Sequence, residues 1–391
     1  MKPPKHILPI IVLAQFFCTS LWFAGNGVLV PLIGHFNLGE NSLGNITSAV
    51  QLGFIMGTLL FAILTLTDRF SPSKVFLGCA ILGAFFNIGI VWESNSWTSI
   101  LLFRFMTGFF LAGIYPVGMK IAADYYDKGL SKSLGYLVGA LVLGTAFPHL
   151  LKWLSAVFQW QYVIYATSAL AILGGLLMVA LVPNGPYRKQ SQHLNLIACF
   201  SIFKKKDFRT AASGYFGHMW ELYTFWAFVP VLLARHAEQH GHNLFRVSFW
   251  SFWVIAVGGL ACVVSGIIAQ QKGIKRTASI SLFLSCLCCL LSPVILVYTT
   301  TPIFILFLLF WGMVVIADSP LFSTLVAQSA APELKGTALT IVNCIGFAIT
   351  IVSIQFISLI QDYISGNWFF MLLAIGPIFG LFGLMGKTKL R

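Results

Sequence analysis

A series of long apolar stretches, each followed by a short polar segment, constrains this chain more than any other feature. About 20 residues in an α-helix cross the hydrocarbon layer of a bilayer. The stretches lie at 7–33, 43–66, 75–93, 98–123, 133–155, 161–182, 211–235, 247–270, 277–299, 302–328, 337–360 and 367–386. Only 9% of the residues are charged, whereas soluble domains carry about 25%. The pattern predicts an all-α membrane protein with twelve transmembrane helices.

The basic residues outside these stretches predict how the chain lies in the membrane. With the N-terminus in the cytoplasm, 20 of the 24 basic residues fall on the cytoplasmic side. Of the other four, Lys152, Arg235 and Arg246 lie at the outer side of the membrane, and Arg104 lies within a span. The positive-inside rule therefore favours a multi-pass protein of the cell membrane with both termini cytoplasmic. Because the basic residues are scattered in loops, the net charge of +13 indicates topology and not nucleic-acid binding.

An internal repeat divides the spans into two groups of six. Gly108 and the GIYP sequence at 113–116 align with Gly312 and the ADSP sequence at 317–320, at a shift of 204 residues. Proteins with duplicated helical halves generally place their substrate and ion sites near the middle of the membrane. The repeat therefore predicts two pseudo-symmetric six-helix bundles with a binding site at that depth.

The longest polar break sets the predicted domain limits. We expect an N-terminal bundle at 1–182, a cytoplasmic central loop at 183–210 and a C-terminal bundle at 211–391. The first apolar stretch, 7–33, exceeds the 7 to 15 residues of a signal-peptide core, so we expect an uncleaved first helix. The protein is expected to be a monomer.

Four of the ionisable residues within the predicted spans are candidates for a functional role. Glu221 lies near the middle of the seventh span, and His218 precedes it by three residues, which places both side chains on one helix face. A carboxyl group at that depth is able to load and release a proton as its access to water alternates; packing held by hydrogen bonds is the alternative for both residues. Arg104 either binds an anionic group or holds a carboxylate of a neighbouring helix. Asp318 precedes Ser319 and Pro320 and either builds a cation site or inner gate, or caps the helix locally.

Other polar residues in the spans are candidates for a substrate cavity. Packing or contact with the lipid interface is the alternative for each of them. The candidates are Gln15, Trp22, Asn26, Tyr115, His149 and Asn343.

A predicted outer loop contains His236, His240 and His242. Three imidazoles are able to bind zinc or copper. No cysteine or fixed scaffold accompanies them, which favours a solvated loop, so we predict no metal site and no cofactor.

Two loop segments resemble the signature of a known family. The segment LTLTDRFSPSK, from Leu64 to Lys74, matches the pattern G-x-x-x-D-R-x-G-R-K at Asp68 and Arg69. The segment GIIAQQKGIKR, at 266–276, keeps glycines and basic residues of the same pattern in the second half. Each copy is degenerate, but the two copies are placed symmetrically.

With twelve spans, duplicated halves and the fourth-span pattern R-x-x-x-G at Arg104 and Gly108, the chain resembles the major facilitator superfamily over essentially its whole length. Its sequences GIYPVGMK and HMWELY are similar to those of bacterial members grouped with nitrate and nitrite transporters, and this resemblance implies a bacterial inner membrane. Nitrate transporters place an arginine in the second and eighth helices. The corresponding spans 43–66 and 247–270 contain no arginine, which disfavours nitrate as the solute.

The resemblance implies roles for several residues. It implies that Arg104 takes part in proton coupling. Together with the ionisable residues considered above, Arg104 completes the predicted proton-coupling set: Glu221, His218, Arg104 and Asp318. It also implies that Asp68, Arg69 and Lys74 form a cytoplasmic gate; for the first two, ordinary topology signalling is the alternative.

These observations favour a secondary active transporter over other classes of membrane protein. We expect it to move a small polar or charged solute by alternating access, coupled to protons, with solute, protons and the bilayer as its partners. A passive facilitator is the alternative, and a non-transporting receptor or scaffold of the same fold stays open. The chain lacks the Walker A pattern G-x-x-x-x-G-K-[ST] of ATP-driven proteins, and it lacks a complete catalytic set, so we predict that it is not an enzyme.

The orientation is testable by labelling single cysteines in a cysteine-free background. Because basic loops stay in the cytoplasm, cysteines placed at Lys204 and Lys335 are expected to react only from the cytoplasmic side, and one at His240 only from outside. Reaction of all three from the same side would contradict the twelve-span topology.

Overall fold

The computed structural model describes residues 4–39, 41–126, 130–155, 159–188, 201–241, 246–331, 334–361, 363–364 and 368–386; the side chains of 68 and 130–132 also lie outside the description. The regular elements within these ranges are all helical. The chain divides into two compact units, Met1–His193 and Leu194–Arg391. The predicted limits of the two bundles and the central loop remain a prediction.

The helices of the first unit account for the first six predicted spans. They are Ile7–Thr19, Ala24–Gly27, Leu29–Phe36, Ser42–Ile63, Leu66–Arg69, Pro72–Gly89, Trp97–Leu111, Tyr115–Tyr125, Leu130–Leu154 and Gln161–Leu181.

The helices of the second unit account for the other six. They are Lys206–Gln239, Val247–Lys272, Ile274–Tyr298, Thr301–Ala317, Ser319–Ser329, Lys335–Ile360, the 3-10 helix Trp368–Ala374 and Ile375–Leu384. Within the described ranges, nine helical segments are long and apolar enough to cross a membrane by length and composition. The prediction of an all-α membrane protein is confirmed.

The first span is not the single helix that we expected, so that prediction was wrong. The helix that begins at Ile7 ends at Thr19, and two short helices follow, with a further interruption at Val28. Gly27 explains part of this irregular path, because a Cβ there would lie 2.8 Å from Cβ of Pro148. Beside the interruption at 20–23, a buried side chain described below donates to two backbone carbonyl groups, one of which, that of Leu21, also accepts from the Ala24 amide at 3.4 Å.

Breaks also occur at equivalent positions of the fourth and tenth spans. The fourth is interrupted between Leu111 and Tyr115, and the tenth at Asp318. Pro116 and Pro320 are each the second residue of the following helix. A proline lacks the N–H group and its ring clashes with the carbonyl four residues earlier, so a continuous helix is disfavoured at both places.

Two helix contacts repeat the 204-residue shift that was noted in the sequence. A Cβ on Gly108 would lie 2.0 Å from the carbonyl oxygen of Val50, and a Cβ on Gly312 would lie 1.9 Å from the carbonyl oxygen of Val254. The second and fourth spans therefore pack as the eighth and tenth spans do, each pair within its own unit. Small residues permit this close approach of two membrane helices.

The seventh span is a helix of 34 residues, Lys206–Gln239. It is longer than the predicted 211–235, because polar residues at both ends continue the helix past the apolar segment. At 1.5 Å per residue it measures about 50 Å, against about 30 Å for the hydrocarbon layer.

The two close contacts give a stability prediction. Gly108→Ala and Gly312→Ala are each expected to lower the free energy of unfolding by about 1–3 kcal/mol, because the added methyl group forces the helices apart. Thermal unfolding of the purified protein measures the effect.

Gly266→Ala is the matched control. This helical glycine has no heavy atom within 4 Å of a built Cβ, so alanine is expected to leave stability unchanged or raise it by up to about 1 kcal/mol. Equal melting temperatures for all three variants would contradict the packing described here.

Candidate functional site

The Glu221 carboxyl group is the centre of a polar cluster inside the second unit. Glu221 is 1% exposed. Its Oε1 accepts hydrogen bonds from Oγ of Ser285 at 2.5 Å and from Nε1 of Trp311 at 2.6 Å. These donors come from the ninth and tenth spans, so the carboxyl group joins three helices.

The surroundings hold both donors in place. Phe225, one helical turn after Glu221, packs on the Trp311 ring with 4.5 Å between centroids. The tight contact at Gly312, the next residue, fixes the tenth span against the eighth. Cys289, one turn after Ser285, is also buried and lies close enough to the same carboxyl group to interact with it electrostatically. The carboxyl group is therefore enclosed by protein on several sides.

His218 and Asp318 form a second buried pair in this unit. Nδ1 of His218 lies 2.8 Å from Oδ1 of Asp318, and both side chains are 1% exposed. Nε2 of His218 and Oδ2 of Asp318 have no hydrogen-bond partner among the described residues. Buried polar atoms usually have partners, so each of these two atoms is available to a proton, a water molecule or a solute.

The break in the tenth span positions Asp318. The aspartate lies between the helix that ends at Ala317 and the one that begins at Ser319. The hydroxyl of Ser265 donates to the Ala317 carbonyl at 2.6 Å, which supplies a donor where the helix is interrupted. Asp318 makes no side-chain cap bond, so the alternative that it caps the helix is wrong, and its described side-chain contact is with His218.

The charges of this cluster do not balance when all three groups are ionised. Glu221 and Asp318 interact electrostatically, and His218 is the basic partner of Asp318. Arg104 is the only lysine or arginine among the buried residues described, and it belongs to the other unit. A buried, uncompensated carboxylate is costly, so one proton on the cluster would remove its net negative charge.

Arg104 is the buried cation of the first unit. Its side chain is fully buried; Nη2 donates to the carbonyl oxygens of Leu21 at 3.2 Å and Trp22 at 2.6 Å, and Nη1 donates to Oδ1 of Asn87 at 3.0 Å. The interrupted first span thus supplies two of its acceptors.

The partners of Arg104 answer one question left open by the sequence. In the described part of the chain, no carboxylate lies within ion-pair distance of this guanidinium, so the alternative that it holds a carboxylate of a neighbouring helix is wrong. Nε of Arg104 has no hydrogen-bond partner among the described residues. It lies beside Gly25, where an added Cβ would be 3.1 Å from it. Arg104 is therefore an uncompensated buried cation with one donor to spare.

Asn87, which the sequence did not single out, orients the arginine. Its Nδ2 donates to Oγ1 of Thr167 at 3.2 Å and to Oγ of Ser168 at 2.9 Å. These contacts turn the amide oxygen toward Arg104. A lone asparagine in an apolar span was the available signal, but the sequence contains no distance between spans.

The structure places five of the six cavity candidates in the first unit. Gln15 and His149 are buried, and the Gln15 amide atoms and Nε2 of His149 have no hydrogen-bond partner among the described residues. Asn26 donates to Oγ1 of Thr47 at 2.7 Å. Trp22 packs on Phe54 with 4.8 Å between ring centroids.

The other two candidates are half-buried. Tyr115 begins a helix after the break in the fourth span, whereas Asn343 lies in the second unit, where its Oδ1 accepts a hydrogen bond from the Tyr215 hydroxyl at 2.9 Å. A role in a substrate cavity stays a prediction for all six.

Gln51 is a buried residue that the sequence reasoning missed. It is 0% exposed, and neither amide atom has a hydrogen-bond partner in the described residues. A glutamine in the middle of an apolar span was a signal for it.

The predicted gate is only partly described. The side chain of Asp68 lies outside the described residues, and Arg69 and Lys74 are exposed. Arg188 holds the segment around Asp68 in place, because its Nη2 donates to the carbonyl oxygens of Thr67 at 3.3 Å and Phe70 at 3.0 Å. The gate stays a prediction.

The predicted outer histidine loop is partly helical and buried. His236 contacts the Leu296 carbonyl with Nδ1 at 3.0 Å and Oγ1 of Thr301 with Nε2 at 3.3 Å. Its ring packs on Phe304 and on His240, each with 4.1 Å between centroids. A solvated loop was the wrong expectation for His236; His242 lies outside the described residues.

These features define a multi-pass, all-α membrane protein whose units each bury ionisable side chains. The family profile of the Major Facilitator Superfamily matches residues 11–354. The chain belongs to this superfamily.

Two bacterial relatives and one solved structure illustrate the similarity. The chain is 29% identical over 224 residues to "Uncharacterized transporter YgaY" of Escherichia coli O157:H7, covering 54% of this chain and 55% of the relative. It is 24% identical over 320 residues to "Probable galactarate/D-glucarate transporter GarP" of Escherichia coli K12, covering 72% and 70%. It superposes on the human organic anion transporter MFSD10 with a TM-score of 0.76 and 14% identity, covering 98% and 100%. That structural likeness shows a shared fold, and the chain spans about half the length of the first curated relatives it matches.

The His218–Asp318 pair is testable by a double-mutant cycle in thermal unfolding. His218→Gln and Asp318→Asn are each expected to lower stability, since each leaves one buried group without its partner. The double variant is expected to lose less than the sum, with a coupling energy of at least about 1 kcal/mol.

The control cycle combines His218→Gln with Glu238→Gln, an exposed glutamate of the same helix. Those effects are expected to add within about 0.5 kcal/mol. Additivity in the His218–Asp318 cycle as well would mean that the two side chains do not interact.

Proposed function

We propose that this protein is a secondary active transporter that moves a small polar or charged solute by alternating access, with a proton on Glu221 coupled to solute movement. The observation that carries the proposal is the buried Glu221 carboxyl group, which has neutral hydrogen-bond donors and no lysine or arginine beside it in the described part of its unit.

The two hydrogen bonds support a proton site at one particular oxygen. Ser285 and Trp311 both donate to Oε1, which leaves Oε2 as the oxygen that carries the proton. Enclosed by protein, the neutral carboxyl avoids the cost of burying a charge. When water reaches the group, the ionised form is solvated and the proton leaves. Alternating access to water thereby becomes alternating loading and release.

The neighbouring pair supports a tuning role for His218. His218 precedes Glu221 by one helical turn, and its imidazole contacts Asp318. A positive charge on His218 favours ionised Glu221, whereas the negative charge of Asp318 opposes it. Protonation of the pair and release of the Glu221 proton are therefore linked.

An anionic solute is the class that the first unit supports best. Arg104 is a fully buried cation whose described partners are all neutral. A guanidinium binds carboxylates with directed hydrogen bonds, and Nε of Arg104 is the donor left without a partner. The name of one relative includes galactarate and D-glucarate, so small hydroxylated carboxylates are the first solutes to test. A proton carried with such an anion would offset its charge during passage.

Glu221→Gln is the decisive variant. Glutamine keeps the size and an acceptor oxygen for Ser285 and Trp311 but does not titrate near neutral pH. We expect the variant to bind solute and to exchange it between equal pools, but to lose accumulation driven by a pH gradient. Labelled D-glucarate and galactarate in proteoliposomes, with and without an acidic exterior, provide the measurement.

Glu238→Gln is the matched control, because it removes an exposed carboxylate from the same helix and is expected to keep gradient-driven uptake. Accumulation by Glu221→Gln at the parent rate would rule out Glu221 as the coupling group. Loss of both solute binding and stability in Glu221→Gln would assign Glu221 to helix packing. Solute uptake by the parent protein that does not depend on the pH gradient would favour the passive facilitator. Failure of the parent to bind either sugar acid would exclude this solute class and leave the coupling test to be repeated with the solute that a stability screen identifies.

A further inference from the structure

An open groove of about 910 Å³ lies where the eighth span ends and the ninth begins. We call it the basic groove. Its aqueous end is lined by the basic residues, and its deeper part by the apolar ones: Lys272, Lys275, Arg276, Ile280, Phe283 and Leu381. It lies wholly within the second unit and apart from the Glu221 cluster.

The basic end is an unfavourable arrangement unless an anion is present. Lys272 ends the eighth span, and Lys275 and Arg276 lie in the first turn of the ninth, after the sharp turn at Gly273 with φ +91°. The N-terminus of a helix carries a partial positive charge, so cations in its first turn are repelled. No acidic side chain lines the groove within the described residues. Three basic side chains therefore lie along one recess, and no carboxylate of the described residues lines it.

The availability of the three cations differs. Nζ of Lys275 donates to the carbonyl oxygen of Gly386 at 3.1 Å, which uses one of its hydrogen bonds. Lys272 and Arg276 are exposed. They are therefore the stronger candidates for contact with an anionic group.

The apolar end continues along the membrane-facing side of the same helix. Ile280 and Phe283 follow Arg276 at intervals of four and three residues, so the three side chains share one helix face. Ile280 is 47% exposed and Phe283 is 50% exposed. In a spanning helix, exposed apolar side chains of this kind face hydrocarbon. Leu381 of the twelfth span forms the opposite wall.

We propose that the basic groove binds one anionic phospholipid. Its phosphate lies at Lys272 and Arg276, and an acyl chain lies along Ile280, Phe283 and Leu381. A basic end at the membrane boundary and an apolar wall below it match the two parts of such a lipid. The predicted topology places the groove in the cytoplasmic leaflet. The proposal concerns a separate surface and does not depend on the proposed transport function.

Lipid binding is testable by native mass spectrometry of the full-length, delipidated protein. Titration with phosphatidylglycerol is expected to show one tightly bound lipid, whereas phosphatidylcholine, which has no net charge, binds more weakly. The double variant Lys272→Gln/Arg276→Gln is expected to bind phosphatidylglycerol roughly twenty-five-fold more weakly, at about five-fold for each basic residue near the membrane surface. Arg276→Gln alone, expected to lose about five-fold, serves if the double variant does not fold.

Two controls separate this site from its alternatives. Lys205→Gln/Lys335→Gln removes the same charge from exposed residues elsewhere in the unit and is expected to keep the tight lipid. An equal loss in that control would assign binding to diffuse surface charge and overturn the proposal.

Phe283→Ala tests the acyl-chain wall, and inorganic phosphate is the second probe. The variant is expected to weaken phosphatidylglycerol binding, and millimolar phosphate is expected not to displace the lipid. Unchanged lipid affinity in Phe283→Ala, together with displacement by phosphate, would identify a site for free anions and overturn the lipid proposal.

Discussion

An ionisable side chain surrounded by apolar helices needs hydrogen-bond partners or an opposite charge from the protein itself, since the membrane offers neither. This requirement accounts for several irregular features of the two units. Where the first span is interrupted, the Leu21 and Trp22 carbonyls bond the Arg104 guanidinium. Where the tenth span is interrupted, Asp318 contacts His218. Helix breaks that look unfavourable in isolation are thus places where buried charge is stabilised.

The internal repeat preserves packing more closely than chemistry. The contact of Gly108 with Val50 recurs 204 residues later, at Gly312 with Val254. At the same shift, however, Arg104 corresponds to Leu308, which is fully buried and apolar. Thr107 corresponds to Trp311, and Ile114 to Asp318. The first unit therefore buries a cation and the second buries two carboxyl groups on a similar scaffold. A repeated fold with divergent buried charges is what a protein needs if its two halves have different chemical tasks.

The sequence predicted those features that depend on local composition. Each span was evident because lipid exposure requires a continuous apolar run, and the shared face of His218 and Glu221 followed from helical spacing alone. The break in the first span was not predicted, because it depends on close contacts such as Gly27 with Pro148, which lie 121 positions apart in the chain.

The partners of the buried charges were also beyond the reach of a single sequence. Ser285 and Trp311 lie 64 and 90 residues after Glu221, and nothing in their local sequence distinguishes them from packing residues. Asn87 carried a signal as a lone asparagine in an apolar span, but its partners lie 17, 80 and 81 residues away in the chain. The positions of buried polar and ionisable residues were therefore signalled, because such residues are rare in apolar spans, whereas their partners were not.

The two donors to Glu221 differ in a way that suits a site with two protonation states. The Trp311 indole has one N–H group and cannot accept a hydrogen bond, so it keeps the same role towards Oε1 whether or not Oε2 carries a proton. The Ser285 hydroxyl can both donate and accept, so rotation of one bond adapts it to either form. If Glu221 is the coupling group, the tenth span therefore supplies a fixed partner and the ninth span an adaptable one. Gain or loss of the proton would then alter the hydrogen bond to Ser285 of the ninth span more than the bond to Trp311 of the tenth. The protonation state of the carboxyl group would therefore bias the position of the ninth helix relative to the tenth within the second unit.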